Sequence, residues 1–150
     1  MEIVGLEWCC QSTSYPDASY LDLEIHMGLC SADQLVPTFE DNYLPGTKTL
    51  VMSADTLCFD VEPNQWVSVV LDQPYVYDGE QNLLIEVFHN PNYTGFNSWS
   101  WLAGESRSVG AYGNPGTTGS PDERVPWMVL VGASGLRATT FGGIKALFAR

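Results

Sequence analysis

Four groups of residues in this chain have types and spacings that could support chemistry: cysteines, histidines, acids and a tryptophan pair. The cysteines are Cys9, Cys10, Cys30 and Cys58. Three connectivities would pair all four, and the sequence does not choose among them. Cys9 and Cys10 are adjacent, so on a strand they face opposite ways. No C-x-x-C occurs, which argues against a zinc site or a thioredoxin-like motif. The expectation is at least one disulfide joining Cys9 or Cys10 to Cys30 or Cys58.

His26 and His89 are the only histidines. A catalytic triad would need a nucleophile and an orienting acid beside one of them. No G-x-S-x-G elbow occurs, and no tuned carboxylate pair of the kind glycosidases use can be picked from the many acids. No catalytic residue is assigned, and the chain is read as a protein that is not an enzyme. An acidic secreted enzyme stays as the last alternative. The acids offer different chemistry as oxygen donors. Asp17, Asp41, Asp60, Glu62 and Asp78 lie where loops or strand ends could clamp Ca²⁺, although no EF-hand spacing exists. Calcium is therefore the one cofactor left open, and no metal ligand set is assigned.

Trp99-Ser-Trp101 places two tryptophans on one face of a strand, about 7 Å apart. If that face is wet, it is a platform on which sugar rings could stack; if it is dry, it is core. Asn92-Tyr-Thr94 is an N-x-T glycosylation sequon in a turn.

The C-terminal segment has the most distinctive pattern. Phe141, Ile144, Leu147 and Phe148 fall on one side of a helix. Read as a strand, Ile144, Ala146 and Phe148 share a face. The segment is too short to be a stable helix alone, and burying its large apolar side chains would contribute about 1.5–3 kcal/mol each. Either its own body or another copy must cover them. Phe141, Ile144, Lys145, Leu147, Phe148 and Arg150 are the candidate self-association residues.

The elements that must position these groups are strands. The chain has 150 residues, 45% apolar, with 14 Gly and 9 Pro. That length fits one domain able to bury roughly 70% of its unfolded surface. Val4, Leu6, Trp8 and Cys10 alternate along one strand. Leu21, Leu23, Ile25 and Met27 alternate with Asp22, Glu24 and His26 along the next. Further strand segments fall at Lys48–Met52, Leu57–Val61, Trp66–Leu71 and Asn82–His89. Weaker ones lie near Phe96–Leu102, Ser108–Tyr112 and Trp127–Gly132. About nine strands at this spacing indicate an antiparallel sandwich or barrel. Ala32–Gly46 reads as an ordered surface loop. The body is assigned to residues 1–132 and a basic, apolar tail to residues 133–150.

Charge narrows the partners. Eighteen acids against six Lys and Arg give a net charge of −12. All eighteen acids and three bases lie in residues 1–124, for −15, whereas residues 125–150 carry three bases and no acid, for +3. Such a body repels nucleic acid and anionic membranes. No run of 18 apolar residues exists to span a membrane. A basic tail is attracted to an acidic body, its own or a neighbour's.

The stretch from Trp66 to Val87 carries a specific pattern: Trp66, then Pro74-Tyr75, Tyr77-Asp78-Gly79 and Asn82-Leu83-Leu84-Ile85. It resembles β-sandwich, jelly-roll-like modules of large secreted surface proteins of bacteria. Leu23-Glu-Ile-His-Met-Gly28 is similar to the second-strand motif of that family. The resemblance spans roughly residues 3–132. It implies a jelly-roll-like sandwich from an exported bacterial protein, with Trp66 anchoring a strand in the core and Asn82 bonding across the Asp78-Gly79 turn. Such modules serve as spacers, adhesive units or enzyme appendages. The N-terminus, Met-Glu-Ile-Val, has no basic region or long apolar stretch, so the chain is read as a mature form whose signal peptide has been removed. The expected function is a non-catalytic extracellular subunit that self-associates through its tail, even into a surface fibre. A carbohydrate-binding module with glycan partners is the alternative.

Overall fold

Alternation of apolar residues along extended segments builds the fold. A computed structural model describes residues 1–13, 17–91, 93–111, 116–133, 137–138 and 144–149, the last two stretches as backbone. Its strands are β1 (Glu2–Thr13), β2 (Asp17–Cys30), β3 (Thr49–Asp60), β4 (Trp66–Val76), β5 (Asn82–Phe88), β6 (Phe96–Ser98), β7 (Ser100–Leu102), β8 (Ser108–Ala111), β9 (Ser120–Asp122), β10 (Arg124–Pro126), β11 (Met128–Gly132), β12 (Arg137–Ala138) and β13 (Ile144–Ala149). The only helix among the described residues is a single 3-10 turn, Glu40–Asn42. The fold is therefore all-β and sandwich-like, as expected. Strand segments read separately at Lys48–Met52 and Leu57–Val61 form one continuous β3, and the additional strands are short.

Two sheets face each other. The first has the order β12-β11-β1-β4, with β6 also pairing β1. The second has the order β3-β2-β5-β13-β8-β9. A two-stranded ribbon, β10 with β7, belongs to neither ladder. Between the sheets, Ile3, Leu6 and Trp8 of β1 meet Leu23, Ile25 and Met27 of β2, Leu83 and Ile85 of β5, and Leu130 of β11. A smaller cluster of Cys10, Ala18, Val61 and Val67 closes one end.

The motif from Trp66 to Ile85 divides between inside and outside. Val67, Val69, Leu71 and Tyr75 are buried, whereas Trp66 is 42% exposed. Trp66 therefore shares the outer face of β4 with Ser68 and Val70 and does not anchor the core. Gly79 has φ +86°, a left-handed conformation that glycine adopts without strain. The Asp78 carboxylate accepts the Glu80 amide at 2.9 Å to close that turn. The Asn82 amide donates instead to the Ala32 carbonyl at 3.2 Å, outside the turn.

The four cysteines are unbonded, which corrects the disulfide expectation. They occupy four separate environments. Cys9 lies on the outer side of the first sheet, where it pairs with Trp66. Cys10 belongs to the end cluster, and Cys30 to a cluster on the outer side of the second sheet. Cys58 is exposed on the edge strand β3, its thiol 3.7 Å from the Ser19 hydroxyl.

Candidate functional site

The C-terminal segment enters the second sheet as an inner strand. β13 runs parallel to β5, with Ile144 opposite Leu83, Ala146 opposite Ile85 and Phe148 opposite Val87. It also runs parallel to β8, with Ala146 opposite Ser108, Leu147 opposite Val109 and Phe148 opposite Gly110. β5 and β8 have no direct ladder between them in this order. β13 thus fills a slot one strand wide, flanked by two backbone edges whose N–H and C=O groups need partners. The other ladders of this sheet, such as β2 with β5, are antiparallel. Phe141 and Arg150 of the expected self-association set lie outside the described residues, and for Ile144, Lys145, Leu147 and Phe148 the structure gives register alone.

The connection explains how one chain can make this insertion. Arg137 and Ala138 pair with Val131 and Leu130 in the first sheet. Five residues, 139–143, separate that pairing from β13 in the second. They reach about 20 Å when extended, enough to cross the ~10 Å between packed sheets.

A strap closes the slot from outside. The segment from Ser31 to Lys48, between β2 and β3, packs Leu35, Phe39 and Tyr43 against Leu84 of β5 and Val109 of β8. β13 lies between those two strands, so the strap crosses over it. On the β8–β9 side, Leu35 N donates to Ser106 O at 2.8 Å, Phe39 N to Thr117 O at 3.1 Å, and Gly119 N to Pro37 O at 2.8 Å. On the β5 side, the Tyr43 hydroxyl donates to Glu86 Oε2 at 3.1 Å. Lys48 Nζ reaches Glu86 Oε1 at 3.2 Å and also pairs with Glu40. Glu86 is 8% exposed. The strap holds its own shape through Asn42, whose side chain accepts from Val36 N and donates to Val36 O and Thr38 O. Gly28 permits the seating of Tyr43: a Cβ there would stand 2.6 Å from the ring. Burial beside Glu86 drives the Tyr43 hydroxyl far above its ordinary pKa, so it stays a donor.

The two histidines lie on opposite sides of the second sheet. His26 is the register partner of Glu86. Its Nε2 stands 4.0 Å from Glu24 Oε2. Burial lowers its pKa, opposed by Glu86, while Lys48 lowers it further and Glu24 and Glu40 raise it. His89 packs edge-on against Tyr20 and Tyr93, with ring centroids at 5.1 and 4.4 Å, and lines an inter-sheet cavity of about 490 Å³ with Trp8, Phe59 and Phe96. Among the described residues, no three His, Cys, Asp or Glu side chains gather as a metal site. Asp17 and Asp60 are cross-strand partners, while Asp78 caps its own turn and Asp41 lies in the strap. No helix among the described residues is long and apolar enough to cross a membrane.

The tryptophans form a different constellation from the one expected. Trp99 precedes β7 and Trp101 pairs with Val125 in the small ribbon. Trp99 meets Trp127 instead, with ring centroids 6.0 Å apart and a 32° tilt. Its indole N–H donates to Asn64 Oδ1 at 3.0 Å. Cys9 ties the group together: it pairs with Trp66, donates its N–H to Trp127 O, and accepts from Trp99 N at 2.9 Å. Trp127 is 44% exposed. Trp66 and Trp127 therefore flank β1 on the outer side of the first sheet, about 9.6 Å apart at two strand spacings. The sequon residue Asn92 lies outside the described residues.

No family model, curated protein or solved structure matches the chain.

Proposed function

We propose that this chain is a non-catalytic structural subunit that assembles with copies of itself by exchanging its C-terminal strand. The observation that carries this reading is the place of β13. The last element of the chain fills a one-strand slot between β5 and β8, through backbone ladders that any copy's strand could make equally well. Exchange of an identical element between protomers keeps every contact of the closed monomer, so it costs little. Addition of an extended segment to open edges is a recurring mode of recognition. A strand passed head-to-tail to the next copy, whose own strand passes onward, generates a fibre. The five residues 139–143 that join β12 to β13 reach about 20 Å when extended.

Concentration decides which form prevails. In cis, a short linker gives an effective concentration on the order of millimolar. A dilute protein is then a closed monomer, and crowding of copies at a surface favours the chain of exchanged strands. The split between a −15 body and a +3 C-terminal region adds attraction between one copy's terminus and the next copy's body, weakened by salt. The resemblance to bacterial surface modules supports an exported, extracellular setting where such crowding occurs.

Light scattering across a concentration series, including refolding at high concentration, tests the reading. Oligomers that grow with concentration, and that Ile144→Asp abolishes, are expected. A protein that stays monomeric at millimolar concentration contradicts it.

The exposed Trp66 and Trp127, with the half-buried Trp99 against Trp127, favour a second reading, in which the outer side of the first sheet stacks sugar rings of a neutral glycan. Neutral polysaccharide should then quench tryptophan fluorescence, and Trp127→Ala should weaken that response with the fold intact. Unchanged fluorescence at saturating glycan contradicts this second reading.

A further inference from the structure

We infer that the strap from Ser31 to Lys48 is a latch that holds the C-terminal strand in its slot, with Glu86 as the pin. The inference rests on the proposal that β13 is exchanged, and it names what sets the speed of exchange. Without the strap, β13 could peel outward from the second sheet by breaking its two ladders. With it, the strand lies under a bridge anchored on both sides of the slot. One anchor is the backbone bonding of Leu35, Pro37 and Phe39 to Ser106, Thr117 and Gly119. The other is the Glu86 carboxylate, which receives the Tyr43 hydroxyl and the Lys48 ammonium. Lys48 also lies 5.0 Å from the centre of the Tyr43 ring, so one cation braces both parts of this anchor.

The two anchors differ in how easily they yield. The β8–β9 anchor is backbone to backbone and does not depend on side-chain identity. The Glu86 anchor depends on three side chains, and removing one leaves a buried polar group short of a partner. The strap therefore opens from the β5 side, over the partners of Ile144–Ala149. Gly28 sets the same limit through shape, because any side chain there would displace Tyr43.

The test uses the full chain. Hydrogen exchange of the 144–149 amides is followed in dilute monomer for wild type, Tyr43→Phe and Glu86→Gln. The latch predicts at least a tenfold rise in exchange at 144–149 in both variants, with the β1 amides of Glu2–Thr13 unchanged. Unchanged exchange at 144–149 overturns the inference, as does an equal rise in β1, which would mean general loosening. If Glu86→Gln does not fold, Lys48→Gln replaces it with the same expectation. Mixing of dye-labelled copies then reports strand exchange between chains, which the latch variants should speed by a similar factor. Faster amide exchange in a protein that never forms oligomers would leave the latch standing and remove the self-assembly proposal. Oligomers whose mixing ignores both variants would do the reverse.

Discussion

The first and last strands of this chain occupy comparable places and differ in almost everything else. β1 lies inside the first sheet, between β11 and β4, and β13 lies inside the second, between β5 and β8. β1 spans twelve residues and pairs antiparallel with both neighbours. It gives Ile3, Leu6 and Trp8 to the main core. β13 spans six residues and pairs parallel with both. It is joined to the rest of its sheet by no hairpin and covered by a strap from elsewhere in the chain. β1 is thus an organising strand whose loss leaves nothing to fold around. β13 completes a sheet that its neighbours have already shaped, which is what the proposed exchange between copies requires.

Removing each strand's contribution sharpens the contrast most. Deletion of residues 136–150 exposes two strand edges, and the truncated protein should stay folded but lose much of its thermal stability. A peptide of residues 136–150 added in excess should restore it, by calorimetry, because the slot binds the strand without a covalent link. Leu6→Ala should cost about 2–5 kcal/mol, the usual range for a buried leucine. A peptide of residues 2–13 should rescue none of that loss. If the C-terminal peptide also fails to rescue the truncated protein, the two strands are alike and the contrast collapses.

Acid separates the regions next. The folded state lowers the pKa of His26 through burial, so near pH 6.5 the unfolded chain binds more protons than the folded one. Stability then rises with pH in that range: it is retained above about 6.5, the ordinary histidine value, and declines as pH falls below it. His26→Gln should remove that component of the decline in urea titrations at pH 5 and pH 7.5. Equal pH dependence in the variant and wild type would detach His26 from acid stability.

The smallest effect is expected on the outer side of the first sheet. Val70 is 78% exposed, and Val70→Thr should change stability by no more than about 0.5 kcal/mol. A larger loss in denaturant titration would mean that this side is covered in the protein's working state.

The contrast also marks how much the sequence discloses. Alternation in β1, β2 and β5 is strong, so the all-β sandwich and most core residues are legible. Trp66 is misread because Trp66-Val-Ser-Val-Val-Leu71 is apolar on both parities. The set Trp66, Ser68, Val70 and Asp72 carries the polar residues, and that signal places it outside. The disulfide expectation fails because cysteine count carries no information about which faces the thiols occupy. β13 resists reading for a physical reason: its apolar residues satisfy both helical and strand spacing, and its parallel partners lie 38 and 61 residues away. The strap is legible as an ordered loop, but its crossing over β13 depends on contacts with Thr117 and Gly119 that no local pattern encodes. The tryptophan group escapes for the same reason, since Cys9, Trp66, Trp99 and Trp127 meet only across strands.

The proposed exchange of β13 can be tested directly by which chains become joined. Phe88 and Ala149 are register partners in the β5–β13 ladder, close enough for a disulfide between neighbouring strands. With Cys58→Ser removing the exposed thiol, the Phe88→Cys/Ala149→Cys variant would be concentrated, oxidised, denatured and weighed without reductant. Strand exchange predicts a ladder of covalently linked chains at high concentration and single chains with an internal bond when dilute. Single chains at every concentration would show that each copy keeps its own C-terminal strand, and would contradict the account.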